Sequence, residues 1–64
     1  KKLFVELDTD EKIIFNYLKK EGKSVLDTIA IACEFPTSKA AYLLLNLELK
    51  GVTRPLPGKQ FELI

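Results

Sequence analysis

The side chains best suited to chemistry in this sequence are cations and hydrogen-bonding groups in its second half. Lysine and arginine neutralise phosphates, serine and asparagine hydrogen-bond to phosphates or bases, and tyrosine stacks on exposed bases. The candidate nucleic-acid-binding residues are Ser38, Lys39, Tyr42, Asn46, Arg54 and Lys59. Each also has a structural alternative: helix capping for the serine, packing on a hairpin for the tyrosine, and solvated or ion-paired surface positions for the other four.

Catalytic and metal-binding groups are scarce. The chain has no histidine and one cysteine, so a zinc site lacks ligands and no disulfide can form within the chain. Ser24 and Asp27 are three residues apart, but a strand start and a helix cap account for them. Cys33 has no cation beside it in sequence, which favours a small core residue over a reactive thiol. We therefore expect a protein that is not an enzyme and that binds no metal or cofactor.

Charge and length limit the strength of any contact with a partner. Sixty-four residues make one small domain with a modest core. Ten basic and nine acidic residues leave a net charge of +1, whereas nucleic-acid-binding domains are typically strongly basic. Residues 37–64 hold four cations and two carboxylates, a local +2, and residues 1–36 come to −1. DNA affinity based on phosphate neutralisation should therefore be weak and sensitive to salt.

The expected location of the protein is the cytoplasm. No apolar run approaches the ~20 residues of a membrane-spanning helix, so no membrane contact is predicted. A single cysteine fits a reducing compartment, and the sequence shows no signal-peptide pattern. A start at Lys1-Lys2 without a methionine suggests a piece excised from a longer protein.

Helix 1 is predicted from Asp8 to about Lys20. Asp8 and Glu11 have the spacing of a capping box, and their carboxylates lie where the helix dipole favours negative charge. The helix should end at Glu21-Gly22-Lys23. Its predicted buried side consists of Ile13, Ile14, Tyr17 and Leu18.

Helices 2 and 3 form a predicted helix-turn-helix, which is a short helix, a three- or four-residue turn and a longer helix. Asp27 is expected to cap helix 2, which covers residues 28–33. Pro36 ends the turn and opens helix 3, which spans about Thr37 to Lys50. The predicted buried residues are Ile29, Ala32 and Cys33 in helix 2 and Ala40, Leu43, Leu44 and Leu47 in helix 3.

The outer side of helix 3 would face a DNA groove. It carries Ser38, Tyr42, Asn46 and, to one side, Lys39. Leu45 and Leu49 also fall outside the core stripe. We expect a hairpin to cover these two leucines; uncovered, they would form an apolar patch for a protein partner.

Two predicted strands, residues 52–56 and 60–64, follow helix 3 after Gly51. Pro57-Gly58 suits the central positions of a type II turn. The sequence leaves open whether the loop has two residues or three, the longer loop placing Lys59 in a bulge. In the three-residue case Arg54 lies across from Glu62, and an ion pair between them competes with phosphate contact.

Together these elements predict a small, mostly helical α+β domain of the winged helix-turn-helix class. Residues 8–64 form the domain, with a three-helix core and a wing sheet of two strands, or of three strands if Val25-Leu26 joins it. Residues 1–7 are expected to form an N-terminal arm or linker end that packs Leu3 or Val5 on the domain.

The chain resembles the C-terminal domain of the DNA-processing protein A (DprA, or Smf) family. The likeness rests on residues 43–52, then Arg54-Pro55-Leu56-Pro57-Gly58 and Phe61. Leu26-Asp27 and residues 7–11 extend it to nearly the whole chain. The resemblance implies a bacterial cytoplasmic protein acting in natural transformation and recombination, whose relatives protect incoming single-stranded DNA and help load the RecA recombinase. In that family a central domain carries the main DNA-binding surface, so this module would be accessory and would contact DNA weakly and non-specifically.

The alternative is a protein-interaction or dimerisation module with little DNA affinity of its own. Near-neutral charge, the leucines Leu45 and Leu49, and the apolar arm Leu3-Phe4-Val5 favour it. A homodimer therefore stays open, as does the choice between single- and double-stranded DNA.

Overall fold

Three helices pack their regularly spaced apolar side chains around one core. The computed structural model describes residues 6–64. The elements are α1 Thr9–Glu21, β1 Ser24–Val25, α2 Leu26–Cys33, α3 Thr37–Leu49, β2 Thr53–Leu56 and β3 Gln60–Leu63. This order is that of a winged helix-turn-helix, so the predicted fold class is confirmed. The predicted packing of the arm through Leu3 or Val5 lies outside the described residues.

The start of α1 is the predicted capping box. The Glu11 N–H donates to Asp8 Oδ1 at 2.8 Å, and the Asp8 N–H donates to the Glu11 carboxylate at 3.0 Å. Reciprocal bonds of this kind satisfy backbone donors that have no partner inside the helix. The acidic residues at the start of α1 therefore have a structural role.

The buried side of α1 differs from the prediction at one position. Ile14 and Leu18 are buried and Tyr17 packs against them, but Ile13 is 40% exposed. Glu11, Ile14 and Leu18 occupy the i, i+3, i+7 stripe, and Ile13 lies about 100° around the helix from Ile14. The prediction was wrong for Ile13 because the stripe that faces the core runs through Ile14 and Leu18 and leaves Ile13 to one side.

Helix α2 begins two residues earlier than predicted, and its buried face differs from the predicted one. Val25 is the cap residue, and Asp27 lies in the first turn without a side-chain cap bond in the described structure. Asp27 still favours the helix electrostatically at that position. The buried stripe is Leu26, Ile29, Ala30 and Cys33, with Ala32 exposed. The prediction for Asp27 as a cap was wrong because the helix begins at Leu26. The prediction for Ala32 as a core residue was wrong because the buried stripe passes through Ala30 instead.

Helix α3 follows a tight turn and buries the predicted stripe. Glu34 ends α2 in the left-handed region with φ +62°, and the Phe35 N–H donates to the Ala30 carbonyl at 2.9 Å. Pro36 precedes α3, and its carbonyl accepts the Ala40 N–H at 2.9 Å. The predicted core residues of α3 are all buried: Ala40, Leu43, Leu44 and Leu47.

The wing is a three-stranded antiparallel sheet in the order β1-β3-β2 among the described residues. The register pairs Leu56 with Gln60, so the loop has three residues. Gly58 has φ +83°, as a type II turn requires at that position, and Lys59 is left-handed at φ +57°. The predicted third strand is confirmed but covers Ser24–Val25, because Leu26 already belongs to α2.

An ion pair between a buried carboxylate and a partly exposed ammonium joins the start of α1 to the end of α3. The Glu11 side chain is 2% exposed, and its Oε1 lies 2.6 Å from Lys50 Nζ. The same ammonium donates to the Glu6 carbonyl at 3.0 Å. Lys50 therefore ties together the segment before α1, the first turn of α1 and the C-terminal end of α3.

Replacing Lys50 with methionine should lower the free energy of unfolding by about 2 kcal/mol. The change leaves the Glu11 carboxylate buried without its counter-ion, and partial exposure of Lys50 reduces the usual cost of about 3–5 kcal/mol. Urea unfolding followed by circular dichroism measures the loss. Lys12→Met on the exposed side of α1 is the matched control, and equal losses in the two variants would contradict the structural role of the pair.

Thr53 presents a polar atom that the sheet leaves without a partner. Its side chain is fully buried, and its hydroxyl makes no hydrogen bond within the described part of the chain. A buried hydroxyl in this situation carries a desolvation cost that folding does not recover.

Thr53→Val should therefore raise the free energy of unfolding by about 1 kcal/mol, since valine has the same shape and no hydroxyl to desolvate. Thr28→Val, at an exposed position of α2, should change it by less than about 0.5 kcal/mol. A destabilised Thr53→Val variant in urea unfolding would show that the hydroxyl has a partner after all.

Candidate nucleic-acid interface

The outward face of α3 lies directly opposite its buried leucines. One stripe contains Ser38, Tyr42, Leu45 and Leu49, at spacings i, i+4, i+7 and i+11. The exposed fractions are 62% for Tyr42, 52% for Leu45 and 77% for Leu49. Asn46 lies half-buried at the edge of this stripe. We call the four stripe residues the outer face of α3.

The hairpin does not cover the outer face, which corrects the prediction for Leu45 and Leu49. The Val52 N–H donates to the Leu47 carbonyl at 2.9 Å, which turns the chain back along the buried side of α3. Phe61 and Leu63 of the wing then pack on the core. The sheet therefore lies on the side of α3 opposite its exposed leucines, and Tyr42 also stays exposed.

Lys39 is held beside the start of α1. Its ammonium lies 2.9 Å from Asp10 Oδ2 and 5.0 Å from the centre of the Phe35 ring. A lysine over an aromatic face gains a cation–π attraction in addition to the ion pair. Lys39 therefore has two partners within its own domain.

Arg54 is held on the outer surface of the wing. It lies across the strands from Glu62, as the three-residue loop predicts. Its Nε and Nη2 both contact Glu62 Oε2, at 2.7 Å and 2.6 Å. The ion pair that the sequence offered as an alternative role for Arg54 is present.

The hairpin loop of residues 57–59, which we call the wing tip, is anchored beside the starts of α2 and α3. The Lys59 carbonyl accepts the Leu26 N–H at 2.9 Å. Gly58 and Lys59 line one groove together with Asp27 and Thr37. The structure therefore brings the wing tip next to the N-terminal end of α3.

The six predicted residues are spread over four places on the domain. Ser38, Tyr42 and Asn46 follow α3, Lys39 turns toward α1, Arg54 lies on the sheet, and Lys59 is at the wing tip. Within residues 6–64 no hydrogen bond or ion pair joins any two of them. Sequence reasoning missed Asp10 as the partner of Lys39, because residues 29 positions apart in sequence carry no local signal of contact.

Other chemistry has little support in the described part of the chain. Burial raises the pKa of the Cys33 thiol, so this group is a protonated, weakly nucleophilic thiol at neutral pH. Residues 6–64 hold no cluster of histidine, cysteine and carboxylate side chains suited to a metal ion. None of their helices is long and apolar enough to cross a membrane.

A helix-turn-helix whose second helix has an open outer face beside an anchored β-wing defines a winged-helix domain. The chain belongs to the DprA winged helix domain family, whose model matches residues 5–59. It is also similar to a solved structure, the Zalpha domain from Carassius auratus PKZ in complex with Z-DNA. That match has a TM-score of 0.82 and 26% sequence identity, and it covers 86% of this chain and 92% of the other. No curated protein matches the sequence significantly.

Proposed function

We propose that this domain, residues 8–64, binds DNA weakly and without sequence preference through the start of α3 and the wing. The observation that carries the proposal is the groove at which the wing tip, with Lys59, meets the N-terminal end of α3. The second helix of a helix-turn-helix contacts base edges with its N-terminal residues, and Lys59 adds a cation beside that end of α3. Membership of the DprA winged helix domain family and the likeness to a domain solved with Z-DNA support DNA as the partner.

Each proposed contact residue has a defined role. Lys39, Arg54 and Lys59 neutralise phosphates, Ser38 and Asn46 donate or accept hydrogen bonds, and the exposed Tyr42 ring stacks on a base. The outer face of α3 is otherwise apolar, with Leu45 and Leu49 at its centre and end. Few groups there can hydrogen-bond to base edges, which are the contacts that distinguish sequences.

Weak binding follows from the charges. The net charge of the chain is +1, and two of the three proposed phosphate contacts, Lys39 and Arg54, already hold carboxylates. Affinity for DNA that comes from phosphate contacts rises with the number of cations that displace counterions. A domain with so few available cations should bind DNA only weakly on its own.

The family supports a cellular setting for this activity. In this proposal the domain is a non-enzymatic, cofactor-free accessory module of a bacterial cytoplasmic protein that handles DNA during natural transformation and recombination. Contact with the RecA recombinase would involve parts of such a protein beyond this chain.

The triple variant Lys39→Ala, Arg54→Ala, Lys59→Asn should bind short DNA at least about tenfold more weakly and with a flatter salt dependence. Each lost phosphate contact lowers the slope of log K against log salt by about 0.9 for a duplex. Asparagine is chosen at position 59 because it tolerates the left-handed backbone there. Fluorescence anisotropy with labelled oligonucleotides at several salt concentrations gives both quantities.

The matched control removes three cations from the solvent-exposed side of α1 and consists of Lys12→Ala, Lys19→Ala and Lys20→Ala. It makes the same change in net charge away from the proposed interface, so its salt slope should stay close to that of the wild type. A titration of the first triple variant that coincides with the wild type would refute the assigned contacts.

The outer face of α3 also favours a second candidate function, contact with a protein partner or a second copy of this chain. Tyr42, Leu45 and Leu49 form a continuous exposed apolar stripe, and such stripes often mark protein interfaces. Three side chains make up only part of the ~800 Å² that each partner buries in a standard interface.

For the proposed DNA-binding function we expect sedimentation velocity to show a monomer at all concentrations without DNA. Under the alternative, the sedimentation coefficient rises with concentration, and Leu45→Gln with Leu49→Gln removes the rise. Ile31→Gln is the control, since Ile31 is equally exposed but lies on α2.

A further inference from the structure

We infer that Asp10 and Glu62 limit the DNA affinity of this domain by occupying two of the three cations that the proposed interface offers to phosphates. The inference rests on the proposed function and adds two acidic residues to it. Asp10 acts through Lys39 and Glu62 acts through Arg54, and each lowers the affinity of the interface for DNA.

Glu62 occupies the edge of the Arg54 guanidinium that is formed by Nε and Nη2. Glu62 Oε2 accepts a hydrogen bond from Arg54 Nε at 2.7 Å and lies 2.6 Å from Nη2. That edge of the guanidinium is one of the edges arginine uses for bidentate contact with phosphate. The strand register places the two residues directly opposite each other, so the carboxylate is present whenever the sheet is folded.

Asp10 holds the Lys39 ammonium in a similar way. The pair distance is 2.9 Å, and the ammonium also lies over the Phe35 ring. Asp10 is fixed in the first turn of α1 beside the capping box of Asp8 and Glu11. A phosphate that takes Lys39 must either displace this carboxylate or bind close to its negative charge.

The expected change in DNA affinity follows from the solvent exposure of the two ion pairs. The Arg54 and Glu62 side chains are 61% and 27% exposed, and those of Lys39 and Asp10 are 46% and 37% exposed. Ion pairs this accessible to water change an equilibrium constant by up to about fivefold. A phosphate can therefore compete with either carboxylate, at a loss of affinity that removal of the carboxylate would recover.

The test compares Asp10→Asn, Glu62→Gln and the double variant with the wild type in DNA titrations over a range of salt. Each single change should tighten binding by about two- to fivefold, and the double change by about tenfold. Each freed cation should also steepen the salt slope, by up to about 0.9 for a duplex. Circular dichroism and thermal melting confirm that the variants fold.

Two controls separate this local effect from bulk charge. Glu21→Gln makes the same charge change at the exposed last turn of α1, about 16 Å along the helix from Asp10. It should leave the affinity within about twofold of the wild type, because salt screens charges at that distance. Glu62→Gln in an Arg54→Ala background should likewise have no more effect than Glu21→Gln.

The outcomes are distinct. The inference is overturned if the wild type binds DNA and Asp10→Asn and Glu62→Gln leave its affinity unchanged, lower it, or raise it no more than Glu21→Gln does. The proposed function stands in that case. Binding that appears only in the double variant supports the inference. Absence of binding in the wild type and in all variants overturns the proposed function together with the inference.

Discussion

The burial of Leu43, Leu44 and Leu47 determines the arrangement of this domain. These side chains pack against Ile14, Leu18 and Ile29 and so set the rotation of α3 about its axis. Once that rotation is set, Ser38, Tyr42, Leu45 and Leu49 must face outward, because the helical repeat places them on the opposite side. The surface available to a partner is thus a geometric result of the core.

The helices and the wing could be predicted from the sequence because their signals are local. Capping-box spacing, a leucine stripe and a Pro-Gly turn act over a few residues, and the structure confirms α1, α3 and the hairpin in nearly the predicted places. Helix α2 was harder to predict. Only the tertiary structure shows that Leu26 begins the helix and does not extend the strand, and this shift explains the error at Asp27. The error at Ala32 arose because the buried stripe passes through Ala30 instead.

The environment of the predicted site could be predicted only in part. Arg54 and Glu62 face each other through a hairpin register that the sequence already suggested. The Asp10–Lys39 and Glu11–Lys50 contacts join segments distant in the chain, so no pattern within one element announces them. The same limit explains the misplaced hairpin: Leu45 and Leu49 are exposed because the backbone after Gly51 returns along the buried side of α3. Through these three ion pairs, most cations of residues 37–64 contact carboxylates of the same domain.

The bond from the Leu26 amide to the Lys59 carbonyl has a mechanical consequence. It clamps the hairpin loop to the helix-turn-helix, so the loop cannot swing without breaking a backbone contact. This hydrogen bond therefore helps to fix the distance between the loop and the first turn of α3. A surface that contacts both elements must match that distance or break this hydrogen bond, at a cost of about 1 kcal/mol.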